Sequence, residues 1–408
     1  MKIGIDARIL GEPGGVGAYI ENLVLKIAEI HPQDEFVLFL KTKEFETKFF
    51  NPPVDGTNIS AVTFRDRLVI PSLAPDKSEL SSAGSLGIIK KVLADVPIYS
   101  LAEQYRLKKI FEKENLDILH VPHWNTPVFY KGKMVVTIHD LVPLDFVSTK
   151  RAKLSQWLRR KYFYLILKIL GQKAQKIIAV SNLTRDDLIN RIKINPEKIE
   201  TIYSGIVSPK AYEEAAKIPK EEARQMIKNE FKINGPYFFA GGIWRTHKNL
   251  DGLISAFKKT LEMMPSSGAK LLIGGVADKS FPDVLNLFQK YQNDPAIIFL
   301  GMLDVEKQAL LMRGAVADIL SSFLEGFGFF YLEALSAGGD LVSSKNVGAK
   351  EVAGGSVEFF DPKNIDELAQ KMIEKIKNPE ACHRQFVLKS GTSWQNTAEK
   401  VYKIYTAH

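Results

Sequence analysis

Short apolar runs rich in β-branched residues alternate with segments whose apolar residues recur every three or four positions. In the first half of the chain these runs are KIGIDA (2–7), EFVLFL (35–40), DILHVP (117–122), MVVTI (134–138) and KIIAV (176–180). Strands that alternate with helices in this way form parallel sheets with helices on both faces. The first half is therefore predicted to be a doubly wound α/β domain.

The same alternation restarts after a polar, helix-forming stretch near residues 205–236. Its apolar runs are YFFAGG (237–242), KLLIGG (270–275), AIIFLG (296–301), ADILSS (317–322), DLVSS (340–344) and SVEFF (356–360). A chain of 408 residues with 45% apolar and 25% charged residues can bury two cores. We predict two α/β domains in tandem. Residues 66–104 do not fit the alternation and are predicted to be a long loop or insertion.

Composition limits the compartment and the partners. The single cysteine, Cys382, excludes a disulfide framework, and the start MKIGIDARIL lacks the basic-then-apolar order of a signal peptide. We therefore expect a cytoplasmic protein. The net charge of +8 favours anionic partners such as nucleic acid, a membrane surface or a phosphate-rich substrate. Nucleic acid is the least favoured of these, because the basic residues are spread along the chain and form no recognition motif.

Ligands of open parallel sheets bind outside the carboxyl ends of the strands, so the residues that follow each strand are the first candidates for a site. The first strand is followed by GEPGGVGAY (11–19). The glycines Gly14, Gly15 and Gly17 allow backbone amides and a helix N-terminus to approach an anion. The segment is neither a dinucleotide fingerprint nor a P-loop. Taken alone, it is explained equally well as a glycine turn that enters a helix.

Histidines follow two other strands of the first half. His139, with Asp140 after it, leaves the run MVVTI. An isolated histidine there is more often a satisfied core residue, but its place at the sheet edge favours the cleft. His120 and His123 form an H-x-x-H, yet no third ligand is near and Pro122 disfavours a helix, so no metal site is predicted.

Cationic residues follow the first strand of the second half. Arg245, His247 and Lys248 lie just ahead of a predicted helix that Asn249 is placed to cap. Glycines in YFFAGG clear space beside them. The pattern predicts a diphosphate-binding site, and a solvated basic loop is the equally weighted alternative.

Two acids flank the start of another predicted helix, in FLEGFGFFYLEALSAG. Glu325 lies in the loop beyond a strand, and Glu333 lies in a helix that ends at Gly338. A carboxylate accepts two hydrogen bonds from adjacent hydroxyls, so two separated acids suit a ligand with two diols, such as a ribose and a hexose. Dipole compensation, worth about 0.3–1 kcal/mol, would explain Glu333 but leaves Glu325 and the glycines unexplained.

These segments together resemble the retaining GT4-type glycosyltransferases of GT-B fold. The resemblance rests on GGVGAYIENL, VVTIHDLVPL, IIAVSNLTRDDL, GGIWRTHKNLDGLISAF and above all EGFGFFYLEALSAG, which fits the E-x7-E motif of that family. It implies two Rossmann-like domains whose parallel sheets face each other across a cleft. Residues 1–208 would bind the acceptor and be braced by a C-terminal crossover helix, 393–408. Residues 209–392 would bind a nucleotide-sugar donor.

The resemblance also implies a role for each candidate residue. Glu333 would bind the ribose, Glu325 the transferred sugar, and His139 the sugar near the reacting carbon. Arg245 and Lys248 would neutralise the diphosphate. The remaining donor-binding positions would be Gly14, Gly15, Val16, Gly242, Gly326, Phe327, Gly328 and Phe329. The chain departs from the family pattern where Gly242 replaces an arginine and where Phe330 and Asp340 replace prolines.

Within the family, GVGAYIENL, TIHDLVPL and THKNL are most similar to bacterial mannosyltransferases that build surface polysaccharides. The expected activity is thus transfer of mannose from GDP-mannose to a glycan or a polyprenyl-diphosphate-linked glycan, with retention of anomeric configuration. No cofactor is implied, and no metal, since the chain has no Asp-x-Asp. A UDP-sugar transferase, a GT-B epimerase and a non-catalytic carbohydrate-binding subunit are the alternatives.

The segment RAKLSQWLRRKYFYLILKILGQK (151–173) has basic residues interleaved with aromatics and leucines. This pattern is consistent with a helix that lies against an anionic bilayer, at the inner face of the cell membrane. An ordinary amphipathic helix that packs on the first sheet explains the apolar positions equally well.

Overall fold

The molecule contains two parallel sheets covered by helices, one in each half of the chain. The computed structural model describes residues 1–12, 14–41, 49–50, 88–98, 100–146, 153–206, 209–354, 357–379, 387–388 and 392–407. The strands of the first half are β1 (Lys2–Asp6), β2 (Glu35–Leu40), β3 (Phe49–Phe50), β4 (Ile88–Leu93), β5 (Ile118–Val121), β6 (Met134–Ile138), β7 (Lys176–Ala179) and β8 (Ile199–Thr201). All except β3 form one parallel sheet, in the order β4-β2-β1-β5-β6-β7-β8.

Helices connect these strands and bury their apolar faces on the sheet. They are α1 (Gly15–Ile30), α2 (Lys108–Lys113), α3 (Val142–Asp145), α4 (Lys153–Lys173) and α5 (Asn182–Asp187). In α1 the buried side chains Tyr19, Leu23 and Ile27 recur at helical spacing. Helix α5 begins after Ser181, whose hydroxyl accepts the Thr184 amide at 3.1 Å. Apolar periodicity and side-chain capping thus specify these two helices.

The second half repeats this architecture. Its strands are β9 (Tyr237–Trp244), β10 (Lys270–Asp278), β11 (Ile297–Gly301), β12 (Ala317–Leu320), β13 (Leu341–Ser344), β14 (Ala353–Gly354), β15 (Val357–Phe360) and β16 (Val387–Leu388). The parallel order is β11-β10-β9-β12-β13-β15, while β3 pairs antiparallel with β10 and β14 with β16. The helices are α6 (Pro209–Lys217), α7 (Lys220–Phe231), α8 (Leu250–Met263), α9 (Pro282–Tyr291), α10 (Val305–Gly314), α11 (Phe329–Ser336), α12 (Ile365–Lys377) and α13 (Trp394–Thr406).

The predicted pair of doubly wound parallel sheets is confirmed, and every predicted strand run contains a strand. The prediction of a loop or insertion over residues 66–104 is wrong in part, because β4 is the edge strand of the first sheet. Its centre carries Lys90 and Lys91, which interrupt the apolar run and are typical of an edge strand. Residues 66–87 lie outside the described residues. Strand β8 is also absent from the predicted runs.

The last helix, α13, returns to the first half and packs on α1. Its side chains Trp394, Val401 and Tyr405 lie in the same hydrophobic cluster as Tyr19. The Trp394 indole donates to the Ile206 carbonyl at 3.0 Å, and the Tyr405 hydroxyl lies 2.6 Å from His120 Nδ1. The C-terminal segment is therefore part of the core of the first half. Across the described ranges, no helix is long and apolar enough to cross a membrane.

Candidate active site

The glycine-rich segment that follows β1 meets the second half where the carboxyl ends of the two sheets approach each other. Gly14 has φ 123°, and a Cβ atom there would lie 3.9 Å from Ile243 Cγ1 of the second half. A Cβ atom on Gly15 would lie 3.2 Å from the Phe329 ring. The first turn of α1 therefore faces both β9 and the start of α11. The residues predicted to bind the phosphates from the two halves share one cleft.

Loop 325–328 packs directly on the first half. A Cβ atom on Gly326 would lie 1.6 Å from the His139 carbonyl oxygen, so no other residue fits there without backbone movement. Gly328, with φ 90°, turns the chain into α11. The loop is held by the Glu325 amide, which donates to the Asn346 carbonyl at 3.0 Å, and by the Ala349 amide, which donates to the Phe327 carbonyl at 2.7 Å. The sequence motif thus forms a rigid loop beside His139.

The Glu325 carboxylate is ion-paired. Lys248 Nζ contacts Glu325 Oε1, and the Ser322 hydroxyl donates to the same oxygen at 2.6 Å. Burial raises the pKa of Glu325, but the Lys248 charge and these hydrogen bonds outweigh it, so the net pKa is lowered. Gly242, with φ 139°, lies beside this pair, and a Cβ atom there would be 3.8 Å from Lys248 Nζ. Glu325 is an anion whose cation partner also faces the cleft.

The Glu333 carboxyl group has neutral partners instead. Gln308 Nε2 donates to Glu333 Oε2 at 3.1 Å and also lies 3.0 Å from the Tyr212 hydroxyl, which bonds to Glu333 as well. Burial raises the pKa of Glu333 to about 7, against the opposing effects of Gln308, Lys248 and Tyr212. Near neutral pH this group is therefore divided between the acid and the carboxylate.

Arg245 begins the short turn that ends at Lys248. The Lys248 amide donates to the Arg245 carbonyl at 2.9 Å, and Asn249 caps α8 by accepting the Gly252 amide, as predicted. Arg245 Nε donates to Asp278 at 2.9 Å, and its side chain is 38% exposed. The guanidinium is therefore oriented by a buried acid while part of it stays exposed to solvent.

His139 is neutral at pH 7. Its Nε2 lies 2.9 Å from the Pro122 carbonyl, which can only accept, so the proton resides on Nε2. Burial lowers the pKa of His139 to about 4, and the Tyr19 ring packs edge-on at 4.9 Å. His120 lies deeper and bonds to Thr137 Oγ1 at 2.8 Å. Among the described residues, no group of three or more His, Cys, Asp or Glu side chains could hold a metal ion.

Several residues of this site were not predicted from the sequence. Gln308 and Tyr212 come from helices with no motif of their own, and Ser322 ends the predicted strand run that precedes FLEGFGF. Asp140 accepts the Val142 amide at 2.9 Å. Burial, together with the nearby Glu325 charge, raises the pKa of Asp140 to about 6, although the Val142 bond acts in the opposite direction. Only the position of Asp140 next to His139, at a strand end, could have indicated from the sequence that it belongs to the site.

The two departures at family prolines have separate structural settings. Phe330 is buried, its ring centroid 5.9 Å from that of Phe239. Asp340 directly precedes β13 and therefore lies at the amino ends of the strands, whereas the cleft lies at their carboxyl ends. Its carboxylate pairs with Lys220 at 2.5 Å. Phe330 thus lies in the core behind loop 325–328, whereas Asp340 is remote from the cleft.

Two family models match the sequence. That of glycosyltransferase family 4 matches residues 68–208, and that of the glycosyl transferases group 1 matches residues 221–386, so together they match most of the chain. The chain belongs to the family 4 glycosyltransferases. This glycosyltransferase has the GT-B arrangement of two parallel sheets that its motifs led us to expect.

Named relatives are similar to the chain in sequence, and solved structures are similar to it in fold. The serotype-specific mannosyltransferase WbdA of Escherichia coli is 23% identical over 369 residues, which cover 87% of this chain and 44% of WbdA. The chain thus spans less than half the length of this relative. The crystal structure of Anabaena HepE with UDP and glucose matches with a TM-score of 0.61 at 17% identity, over 100% of this chain and 99% of HepE. WaaG, a glycosyltransferase involved in lipopolysaccharide biosynthesis, matches with a TM-score of 0.63 at 14% identity over 100% of both chains.

Proposed function

We propose that this glycosyltransferase moves mannose from GDP-mannose to a glycan or polyprenyl-diphosphate-linked glycan, with retention and without a divalent metal, in cell-surface polysaccharide biosynthesis. The observation that carries the proposal is the convergence of two acids and two cations on one cleft. Glu325, Lys248 and Arg245 surround the start of α8, and Glu333 lies eight residues beyond Glu325 on α11. Such a set of groups suits a ligand that carries a sugar, a diphosphate and a ribose.

The proposed mechanism assigns the leaving-group charge to fixed cations. The bond between the anomeric carbon and the β-phosphate oxygen breaks, and negative charge develops on the diphosphate. Lys248 and Arg245 stabilise that charge together with the backbone amides of Phe327, Gly328 and Gly15. The acceptor oxygen bonds to the anomeric carbon on the same face, and its proton passes to the departing phosphate. His139 keeps its proton on Nε2, so its Nδ1 lone pair is available to a sugar hydroxyl.

The choice of mannose is supported by named relatives. WbdA of Escherichia coli and RfbU of Salmonella typhimurium are both mannosyltransferases. The mannosylfructose-phosphate synthase of Agrobacterium fabrum is 26% identical to the chain over 277 residues. HepE was solved in complex with UDP and glucose, which supports a UDP-sugar as the second candidate. In either case the ribose and diphosphate contacts are the same, because they involve no atom of the base.

Helix α4 supports a membrane-proximal acceptor. Its apolar residues divide between two faces: Phe163, Leu167 and Leu170 are buried on the first sheet, whereas another set is more than half exposed. That exposed set lies among basic residues and comprises Leu154, Trp157, Leu158 and Leu165. Packing on the sheet therefore explains only one face. An anionic bilayer, where a polyprenyl-linked glycan would be found, suits the other.

The decisive experiment is donor binding followed by transfer. We expect GDP-mannose to raise the melting temperature more than UDP-glucose or UDP-N-acetylglucosamine does, since a ligand that binds only the folded state stabilises it. With a lipid-linked glycan acceptor, transfer should survive excess EDTA and give a product of retained configuration by NMR. Conversion of the donor without an acceptor would indicate an epimerase, and sugar binding without turnover a non-catalytic subunit. Activity that is lost in EDTA and restored by Mn²⁺ would contradict the proposed mechanism.

A further inference from the structure

The carboxylate of Glu351 joins the two halves of the molecule beside loop 325–328. Glu351 ends a short 3-10 turn of the second half, Gly348–Glu351. Its Oε2 accepts the Asn182 amide at 2.8 Å, and its Oε1 accepts the Leu183 amide at 2.9 Å. Both amides belong to the first turn of α5 in the first half, where helix amides have no partner within the helix. One side chain thus makes two charge-assisted hydrogen bonds across the interface.

The same carboxylate also holds the connection between the halves. The Tyr203 hydroxyl donates to Glu351 Oε2 at 3.0 Å, and Tyr203 lies between the end of β8 and the start of α6. The Tyr203 carbonyl in turn accepts the Thr397 hydroxyl of α13 at 2.8 Å. Glu351 is therefore bonded both to the facing half and to the segment about which the halves would move.

The turn that ends at Glu351 also supports loop 325–328. The Gly348 amide donates to the Glu325 carbonyl at 3.2 Å, in addition to the Ala349–Phe327 bond described above. From the first half, the Ser181 hydroxyl donates to the Gly326 carbonyl at 2.5 Å. The position of the Glu325 loop against His139 thus depends on contacts that converge on the first turn of α5 and on Glu351.

We propose that Glu351 is a positioning residue that holds the two halves closed and sets loop 325–328 against His139. This role rests on the proposed function. A loosened interface would admit water to the anomeric carbon of a bound donor, because closure is what excludes water from such a site. Glu351 would then determine how much of the donor is transferred to an acceptor and how much is hydrolysed. Donor affinity would change less than transfer, since the charged groups proposed to bind the donor, Glu325, Glu333 and Lys248, lie on the second half.

The test uses Glu351→Ala and the isosteric Glu351→Gln, with Glu367→Ala as the matched control. Glu367 accepts the Asp361 amide at 3.0 Å, a carboxylate-to-amide bond made entirely within the second half. We expect Glu351→Ala to lower transfer about tenfold to a hundredfold, since two amide-to-carboxylate bonds are lost. The hydrolysed fraction of donor should rise, and the donor dissociation constant should change less than about threefold. Glu351→Gln, which keeps one acceptor oxygen, should be intermediate and guards against misfolding of the alanine variant.

Small-angle scattering separates this inference from the proposed function. The radius of gyration of the donor-free protein should increase in Glu351→Ala and not in Glu367→Ala, whatever reaction the protein catalyses. If no donor is turned over by the wild type, the proposed function fails while the scattering comparison still applies. An unchanged radius of gyration in both Glu351 variants overturns the positioning role. So does a hydrolysed fraction equal to that of the wild type in an active, folded variant.

Discussion

The two acids of the E-x7-E motif lie in opposite electrostatic surroundings. Glu325, in the loop before α11, contacts Lys248 and accepts the Ser322 hydroxyl, and its pKa is lowered overall although burial alone would raise it. Glu333, on α11, is bonded by the neutral groups of Gln308 and Tyr212, and burial raises its pKa to about 7. Of two glutamates eight positions apart, Glu325 is thus a permanent anion, whereas Glu333 titrates near neutral pH.

This difference indicates different tasks. A permanent anion beside a lysine can orient that cation and bind hydroxyls at every physiological pH, which suits the reacting sugar and its leaving group. A carboxyl group that is half protonated near pH 7 suits ground-state binding, in which neutral and ionised forms both hydrogen-bond to hydroxyls. Titration and turnover can therefore be separated experimentally, one acid at a time.

The largest effect is expected from Lys248→Ala. Loss of one fixed donor to the leaving group typically lowers kcat about a hundredfold to a thousandfold, and here it would also leave Glu325 as a buried anion without its cation. Steady-state kinetics with saturating donor measure this loss. The control is Lys258→Ala, which removes a lysine in the middle of α8 that is paired with Asp294. Unchanged kcat in Lys248→Ala would mean that the Lys248–Glu325 pair does not act on the leaving group.

A smaller loss is expected from Glu325→Gln. The amide keeps the shape of the side chain but carries no negative charge to pair with Lys248, and hydrogen bonds to charged groups are worth about 1.5–3 kcal/mol. We therefore expect kcat to fall about tenfold to a hundredfold, with the donor dissociation constant changed less than kcat. Glu333→Gln should show the reverse balance, with weaker donor binding and nearly normal kcat. The same kinetic profile in both variants would mean that the two acids do not have separate tasks.

Backbone requirements made much of this site predictable from the sequence. Gly14, Gly242 and Gly328 have the positive φ angles that glycine favours, and Asn249 caps α8, so the turns around the cleft could be read from residue type alone. The predicted strand ends then placed those turns at one sheet edge. What local sequence specifies, namely turns, caps and strand ends, was predictable for this reason.

The electrostatic states of the acids were not predictable in this way. Gln308 comes from α10 and Tyr212 from α6, and each is one polar residue among many on an ordinary amphipathic helix. Nothing in their spacing singles them out, because their contact with Glu333 depends on how the helices pack. Strand β4 was missed for a related reason. Its central lysines interrupt the apolar pattern, and its pairing with β2 joins segments that are far apart in the sequence. The Asp278 partner of Arg245 likewise lies on another strand.

A modest pH effect should distinguish the acids in the wild type. If the ionised form of Glu333 binds the ribose hydroxyls better, donor affinity should rise as pH increases through about 7, by up to about tenfold between pH 6 and pH 8. The intact nucleotide sugar is the correct ligand, because the terminal phosphate of a free nucleotide titrates near pH 6 itself. Isothermal calorimetry measures the affinity, and Glu333→Gln should abolish the pH dependence. A pH dependence that persists in Glu333→Gln would assign it to another group, such as Asp140.

The smallest effect concerns stability without any ligand. The folded-state pKa of Glu333 is above its unfolded value, so the folded protein holds this proton more tightly and loses stability as pH rises from about 4.5 to about 7. Glu333→Gln removes that loss, and its melting temperature relative to the wild type should be higher at pH 8 than at pH 5.5 by a few degrees. Glu325, with a lowered pKa, contributes stability above its unfolded pKa, so Glu325→Gln should melt below the wild type at both pH values and leave Lys248 unpaired. Parallel melting curves for the two glutamine variants across this range would show that burial acts on both acids alike.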